Sequence, residues 1–178
     1  RAFLPPETSE ALAALEDAVQ GDQPIIFETG SEEEYLRAHK LATEYGLDAW
    51  FRGSGEEYRI LDVLRGRTNP LIIPLSFPDA PDVDDPESAL NASLAELRDW
   101  YLAPTSPAQL ARAGVRFAIT SDGLSSLNEF LPNLRIAVAR GLSAADALAA
   151  LTTTPALWLG LENTHGTIEE GKVANLVV

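Results

Sequence analysis

Four short apolar runs, separated by longer amphipathic stretches, constrain the fold of this chain more than any other feature. They lie at residues 24–27, 48–51, 70–75 and 116–120. Apolar strands that alternate with helices predict a parallel sheet, because neighbouring parallel strands need a long crossover connection. The runs are apolar along most of their length, which is typical of strands buried on both faces. The pattern predicts an α/β fold, either half of an eight-stranded barrel or a small open sheet.

Helix signals lie between these runs. Ser31 followed by Glu34 predicts a capping box, in which both side chains satisfy free amides of the first helical turn. The helix that it opens should end at Gly46, and it carries four residues at helical spacing: Tyr35, Leu36, His39 and Ala42. Further helices are predicted on a face of Tyr58, Leu61 and Leu64, over 88–102, from Ser106 to Gly114, and over 144–151 behind the cap Ser143. The segment 77–87, rich in proline and aspartate, predicts a loop.

Charge and composition exclude several classes of function. The 27 acidic and 13 basic residues give a formal charge of −14, which opposes the approach of nucleic acid or of an anionic membrane surface. The absence of cysteine excludes disulfides, cysteine nucleophiles and thiolate metal ligands. No apolar run approaches the roughly 18 residues that a membrane span needs. The first residue is Arg1 and the last residues form an apolar run, so we expect a piece of a longer protein.

The carboxyl-terminal third of the chain resembles the amidohydrolase superfamily, in particular its imidazolonepropionase-like branch. The matching blocks are 114–123, 141–143, 147–148, 151–156, 159–161 and 166–178. The resemblance implies the carboxyl-terminal part of a TIM-like (β/α)8 barrel with parallel strands, running into the start of a small β domain. Residues 1–160 would form the half-barrel, and residues 161–178 would supply the return strand of a composite β domain.

By this resemblance, Asp122 occupies the end of the last barrel strand, where the family has an aspartate that binds the catalytic metal and accepts a proton from the attacking water. A carboxylate there would point into the mouth of a barrel. The alternative is that Asp122 only turns the chain before Gly123. The family's histidines after the fifth and sixth strands have counterparts in Glu28 and in Arg52 or Gly53.

Glu28 is a competent metal ligand, so Glu28 and Asp122 could together hold a divalent metal such as zinc. Arg52 could instead bind substrate, or pair with Glu28 or Asp122 and neutralise the site without a metal. The two histidines of the chain do not fit the ligand positions. His39 is predicted to pack on a helix, and His165 to lie in a surface turn.

Three functional hypotheses follow. The first is a metal-dependent hydrolase of C–N bonds in a small-molecule substrate, here an incomplete half-barrel. The second is a catalytically silent amidohydrolase-like domain that binds a ligand or partner, and the third is an independent open-sheet binding module. The strand at 174–178 would lack most of its pairing partners in this piece, which predicts association with the missing N-terminal half or with a second copy.

Overall fold

The computed structural model describes residues 9–175. Its strands are β1 (Ile25–Glu28), β2 (Ala49–Arg52), β3 (Leu71–Pro74) and β4 (Ala118–Thr120). Its α-helices are α1 (Glu10–Ala13), α2 (Glu16–Gln20), α3 (Glu32–Tyr45), α4 (Leu61–Leu64), α5 (Pro86–Asn91), α6 (Leu94–Leu102), α7 (Ser106–Arg112), α8 (Phe130–Ala139), α9 (Ala144–Leu151) and α10 (Thr153–Trp158). Short 3-10 turns cover Glu57–Arg59, Ala103–Thr105 and Leu127–Glu129. The four predicted strands are confirmed.

The strands form one parallel sheet in the order β1-β2-β3-β4. One sheet face carries Phe51, Leu71 and Ile73, and these side chains form the hydrophobic core with helix residues such as Leu110. A doubly wound sheet would have helices on both faces and a reversal of strand order. Sequential order with helices packed on one face is instead the arrangement of a barrel segment.

The opposite face of the sheet corrects one expectation from the sequence. Side chains on this inner face are only partly covered by the described residues: Ile26 is 56% exposed, and Trp50 and Ile72 are half-buried. Trp158 of α10 contacts Trp50, with ring centroids 6.2 Å apart. The strands are therefore buried on one face and not on both within residues 9–175.

The helix α3 has the amino-terminal cap and the carboxyl-terminal glycine that the sequence predicted. Ser31 Oγ accepts a hydrogen bond from Glu34 N, while the Glu34 carboxylate accepts from Gly30 N at 2.7 Å, one residue earlier than a standard capping box. The helix ends at Gly46 in the left-handed region, with φ of 64°. Its buried residues are Tyr35, Ala38 and Ala42, whereas Leu36 is 41% exposed.

Two other helix predictions need correction. The segment 88–102 is divided into α5 and α6, because Ser93 starts a new helix with a complete capping box to Glu96. The segment after β2 is a 3-10 turn followed by the single turn α4, not one longer helix. The helix 144–151 and its cap are confirmed, with Ser143 Oγ accepting from Asp146 N at 3.0 Å.

Residues after α10 form turns up to Asn175, held in part by Lys172 Nζ, which donates to the carbonyl of Glu162 at 2.8 Å. The predicted return strand at 174–178 lies mostly outside the described residues. The division at residue 160 stays a prediction. Within the described part of the chain, no helix has both the length and the apolar character to cross a membrane.

Candidate active site at the carboxyl ends of the strands

The candidate residues lie at one edge of the sheet because the strands are parallel. Glu28 is the last residue of β1 and Arg52 is the last residue of β2, and the two are register partners. Asp122 lies two residues beyond the end of β4. The edge at the carboxyl ends of the strands is where β/α barrels carry their active sites.

Arg52 and Asp122 form an ion pair in which Arg52 Nη2 lies 2.7 Å from Asp122 Oδ2. The strands β2 and β4 are separated by β3, so their backbones are roughly 10 Å apart at the usual strand spacing. The arginine side chain therefore extends across the end of β3 to reach the aspartate. The Arg52 side chain is 23% exposed and that of Asp122 is 62% exposed. Of the pairings expected for Arg52, the structure contains the one with Asp122.

Backbone contacts fix the strand end that carries Arg52. The Arg52 carbonyl accepts two hydrogen bonds from Thr29, one from its N–H and one from its Oγ1, both at 2.9 Å. Gly53 N donates to the carbonyl of Ile72 on β3 at 2.8 Å. Thr29 is buried, and the sequence did not distinguish it from an ordinary loop threonine. The strand end is thus held from both neighbouring strands.

Gly123 provides the space in which the guanidinium lies. Its φ is +82°, a region that side chains rarely adopt. A Cβ atom at this position would lie 3.3 Å from Arg52 Nη2 and 3.6 Å from Ser76 Cβ. The turn itself is closed by Asp122 N, which donates to Thr120 Oγ1 at 3.1 Å. Asp122 therefore has a turn role as well as an ion pair.

Glu28 is exposed beside Arg52, and it takes part in no ion pair within residues 9–175. His39 is half-buried on α3, where its ring lies 6.0 Å from that of Phe51. Burial lowers the pKa of His39, and the charge of Arg67 acts in the same direction. His165 lies in the turn after α10, with Nδ1 2.8 Å from Thr164 Oγ1. The structure thus places neither histidine at the strand ends.

A cavity of about 570 Å³ opens next to this edge of the sheet. Ser54 and Ser76, which follow β2 and β3, form one wall, and the loop and helices between β3 and β4 form the other. Its acidic lining residues are Glu56, Asp79, Asp82, Glu96 and Asp99. Such a lining disfavours anionic ligands and favours those that donate hydrogen bonds.

A polar cluster links α6, on the far wall of the cavity, to the segment that follows β2. Asp99 on α6 accepts a hydrogen bond from Tyr58 Oη at 2.8 Å and forms an ion pair with Arg59, which also pairs with Glu56. Burial acts to raise the pKa of Asp99, but the bonds from Tyr58 and Arg59 outweigh it and hold that pKa below its ordinary value. This cluster is a point of attachment for α6.

The side chains at this edge of the sheet can be compared with those that the divalent metal implied by the resemblance would need as ligands. Residues 9–175 contain no group of three or more His, Asp or Glu side chains arranged to hold a metal ion. Asp122, the ligand expected at β4, is already neutralised by a guanidinium, which would repel a divalent cation at that carboxylate. The residues of this half do not by themselves fit a metal centre.

The fold and this site define a class: half of a parallel β/α barrel, with an accessible carboxylate after its last strand. Residues 104–178 match the amidohydrolase family. Imidazolonepropionases of Acinetobacter baumannii strains AB307-0294 and ACICU are 41% identical to this chain over 73 residues, which is 38% of this chain and 18% of each relative.

Solved structures extend the similarity to most of the chain. The crystal structure of an amidohydrolase from Thermotoga maritima MSB8 has a TM-score of 0.70 and 26% identity, and the match covers 98% of this chain and 42% of that one. A second amidohydrolase crystal structure shares the fold, with a TM-score of 0.59 at 20% identity over 91% of this chain and 39% of that one. Residues 104–178 are thus similar in sequence to the amidohydrolase family, and the described fold is similar to that of solved amidohydrolases, which supports an amidohydrolase-superfamily assignment. The chain spans less than half the length of the relatives that it matches.

Proposed function

We propose that this chain contributes the carboxyl-terminal half of the active site of an amidohydrolase-type hydrolase that acts on C–N bonds, with Asp122 as its catalytic carboxylate. The observation that carries the proposal is the position of Asp122, which is accessible at the carboxyl end of the last strand within the segment that matches the family. A carboxylate in this place can accept a proton from a water molecule.

The proposed reaction uses the two residues of the ion pair. Asp122 accepts a proton from a water molecule as the water oxygen attacks the carbonyl carbon of the substrate. Arg52 retains N–H groups that are not engaged by Asp122, and these can donate to the carbonyl oxygen as negative charge develops on it. Asp122 then gives its proton to the leaving nitrogen, and the C–N bond breaks. Arg52 is therefore proposed as a substrate-binding residue.

A divalent metal such as zinc enters this proposal only through ligands supplied by a completing half of the barrel, with Asp122 and Glu28 as the residues of this half that can join them. Metal analysis of the completed protein tests this point. Stoichiometric metal that is lost in the variant Asp122→Asn supports Asp122 as a ligand. Stoichiometric metal that is retained in Asp122→Asn contradicts that role.

The completing half is the partner that we propose for this chain. Within the described residues β1 and β4 each have one strand neighbour, and Ile26 and Trp50 on the inner face are incompletely covered. A second half-barrel would pair with both edges and cover that face. Size-exclusion chromatography with light scattering, on this chain alone and co-expressed with the segment that precedes it in the natural protein, tests this. A compact monomer that does not bind that segment contradicts the proposal, as does a stable dimer of this chain that excludes the segment.

Activity is tested on the completed barrel with a panel of linear and cyclic amides, by release of ammonia or amine. We expect Asp122→Asn to reduce kcat/KM by about 10²–10⁴-fold, the contribution of a general base. Glu44→Gln, an exposed carboxylate on α3, is the matched control and should keep full activity. Full activity in Asp122→Asn contradicts the proposed role of Asp122.

A second candidate function is a catalytically silent ligand-binding domain. The ion pair of Arg52 with Asp122 favours it, because this pair satisfies the carboxylate in the absence of any metal. It predicts that the completed protein contains no stoichiometric metal and hydrolyses nothing in the panel, yet binds a member of it. Binding without turnover by the wild type would support this candidate over the first.

A further inference from the structure

Glu57 is a buried acid with one unpartnered oxygen, and nothing in the sequence singled it out. Its residue exposure is 3%, and Oε1 accepts a hydrogen bond from Gly55 N at 3.1 Å. Its second oxygen, Oε2, is buried and has no hydrogen-bond partner among residues 9–175. A buried carboxyl group costs free energy unless the fold uses it, so its position calls for a physical reason.

The carboxyl group of Glu57 lies in the space that a side chain at residue 53 would occupy. A Cβ atom built on Gly53 would lie 2.0 Å from Glu57 Oε1 and 2.8 Å from its Cδ. Such distances are impossible without movement, so the inward position of the Glu57 carboxyl group requires a residue without a Cβ atom at position 53. The same Oε1 is bonded to Gly55 N, and Gly55 has a φ of +97°. One carboxyl group thus binds the backbone of Gly55 and occupies the side-chain space at Gly53.

The segment that Glu57 holds begins directly after Arg52. The carbonyl of Arg52 itself is bound by Thr29. The direction in which the Arg52 side chain leaves β2 therefore depends on a backbone that Thr29 holds at the Arg52 carbonyl and that Glu57 holds at Gly55. Small displacements at this point are amplified along the arginine side chain, because its guanidinium must cross the end of β3.

A ligand-binding role for Glu57 fits the site less well. The cavity beside it, lined by Thr29, Tyr35 and Ser54 among others, has a volume of about 10 Å³. This is the space of a single water molecule. Substrate cannot enter such a space, so the function of the carboxyl group must be exerted through the chain around it.

We propose that Glu57 is a positioning residue, whose buried carboxyl group fills the space at Gly53 and fixes the segment from Gly53 to Gly55 so that the Arg52 guanidinium reaches Asp122. The proposal concerns the geometry of the ion pair and does not depend on hydrolase activity. The charged and titratable groups around Glu57 are Glu32 and Tyr35 on α3 and Glu56 on its own loop.

A double-mutant cycle on the full chain tests the steric part of the proposal. Gly53→Ala should raise the unfolding equilibrium constant by about tenfold or more in the wild-type background. In the background of Glu57→Ala the same change should cost less than about twofold, because the clashing carboxyl group is absent. Glu57→Asp, which withdraws the carboxyl group by one methylene, provides the same comparison if Glu57→Ala does not fold. Equal costs in the two backgrounds would overturn the proposal.

The effect on Arg52 is measured separately, by the guanidinium resonances of Arg52 in ¹⁵N NMR spectra. Glu57→Gln keeps the shape and one acceptor oxygen, so the Arg52 resonances should keep their wild-type positions and slow rotation. Gly53→Ala, which displaces the carboxyl group, should shift them toward those of an unpaired arginine. Unchanged Arg52 resonances in Gly53→Ala would refute the positioning role even if the protein were destabilised, and loss of the pair in Glu57→Gln would refute it as well.

Discussion

Arg52 at the end of β2 and Asp122 after β4 are joined by a 2.7 Å ion pair that crosses the end of β3. By the resemblance to amidohydrolases, either Arg52 or Gly53 would stand where the family has a histidine ligand of the metal. An arginine differs from histidine in a decisive way here, because it is permanently charged and has no lone pair to offer a metal. The pair therefore places a fixed positive charge at the carboxylate that the resemblance implies as a metal ligand.

The first prediction is that Arg52→His increases the affinity of the completed barrel for zinc by at least about tenfold over the wild type. The substitution removes the repelling charge and adds a nitrogen ligand near Asp122. Isothermal titration calorimetry with zinc chloride measures the change. Arg52→Gln is the control, since it removes the charge without adding an imidazole.

The comparison of the two variants separates the contributions. A gain in Arg52→His that exceeds the gain in Arg52→Gln shows that an imidazole at this position ligates the metal. An equal gain in both assigns the effect to charge alone. Zinc binding by the wild type that matches Arg52→His would contradict the interpretation of Arg52 as an obstacle to metal.

The second prediction concerns Gly123. We expect Gly123→Ala to lower the free energy of unfolding by ~1–2 kcal/mol, because its φ of +82° strains any residue with a Cβ atom. Gly160→Ala is the matched control: its φ is +67°, but nothing lies within 4 Å of its Cβ position. Urea denaturation should give similar losses for both variants.

Only Gly123→Ala should disturb the ion pair, because its new Cβ would lie 3.3 Å from Arg52 Nη2. The guanidinium resonances of Arg52 should shift in this variant and stay in place in Gly160→Ala. A similar shift in both variants would mean that the overall loss of stability, and not the contact between the new Cβ atom and Arg52, disturbs the ion pair.

The sequence predicted those features that short-range chemistry decides. The four apolar runs became strands, and Ser31 and Ser143 became helix caps, since a cap depends on residues within one turn. The resemblance to amidohydrolases, carried by the segment around Asp122, is confirmed. In contrast, the burial of the sheet on both faces was wrong, because hydrophobicity of a strand does not report which neighbours are present in this chain.

Longer-range relationships were predicted less well. Arg52 was expected near Glu28 or Asp122, and the choice between them depends on how a long side chain leaves β2. Glu57 had no local signal, because a glutamate in a polar loop has the same sequence pattern whether it is buried or solvated. The sequence shows only that Gly53 lies four residues before Glu57. This spacing cannot be interpreted as a contact until the loop geometry is known.

The third prediction concerns the attachment of α6 through Asp99. Tyr58→Phe removes a 2.8 Å hydrogen bond to Asp99 and should lower the free energy of unfolding by about 1 kcal/mol. The exposed tyrosine of α3 supplies the control Tyr45→Phe, which should change stability little. Denaturation of the two variants at neutral pH makes the comparison, and equal losses would contradict an anchoring role for Tyr58.

Asp99 also gives this anchor a pH dependence. Its pKa in the folded state lies below its ordinary value, so its contribution to stability is present above the unfolded pKa and lost as pH falls through the folded pKa. The variant Asp99→Asn should therefore show a weaker loss of stability on acidification than the wild type. If the free energy of unfolding falls equally with decreasing pH in the two proteins, the assignment to Asp99 is contradicted.

The fourth prediction concerns Glu57, whose pKa is shifted in the opposite direction to that of Asp99. Burial raises the pKa of Glu57, although the backbone amides of Glu57 itself, Gly55 and Ser54 act against this increase. Because the folded pKa lies above the unfolded one, the contribution of Glu57 is complete below the ordinary glutamate pKa of about 4.3 and is lost as pH rises through the folded value. The free energy of unfolding should fall in that window by at most ~1.4 kcal/mol per pH unit from this group.

Glu57→Gln cannot ionise, so the difference in stability between the wild type and this variant should change with pH in that window and become constant above the folded pKa. The exposed variant Glu44→Gln provides the baseline for an ordinary carboxylate and should parallel the wild type. Urea denaturation at closely spaced pH values measures all three proteins. A pH-independent difference between the wild type and Glu57→Gln would mean that the carboxyl group ionises as easily in the folded chain as in the unfolded one, which its burial and its unpartnered Oε2 argue against.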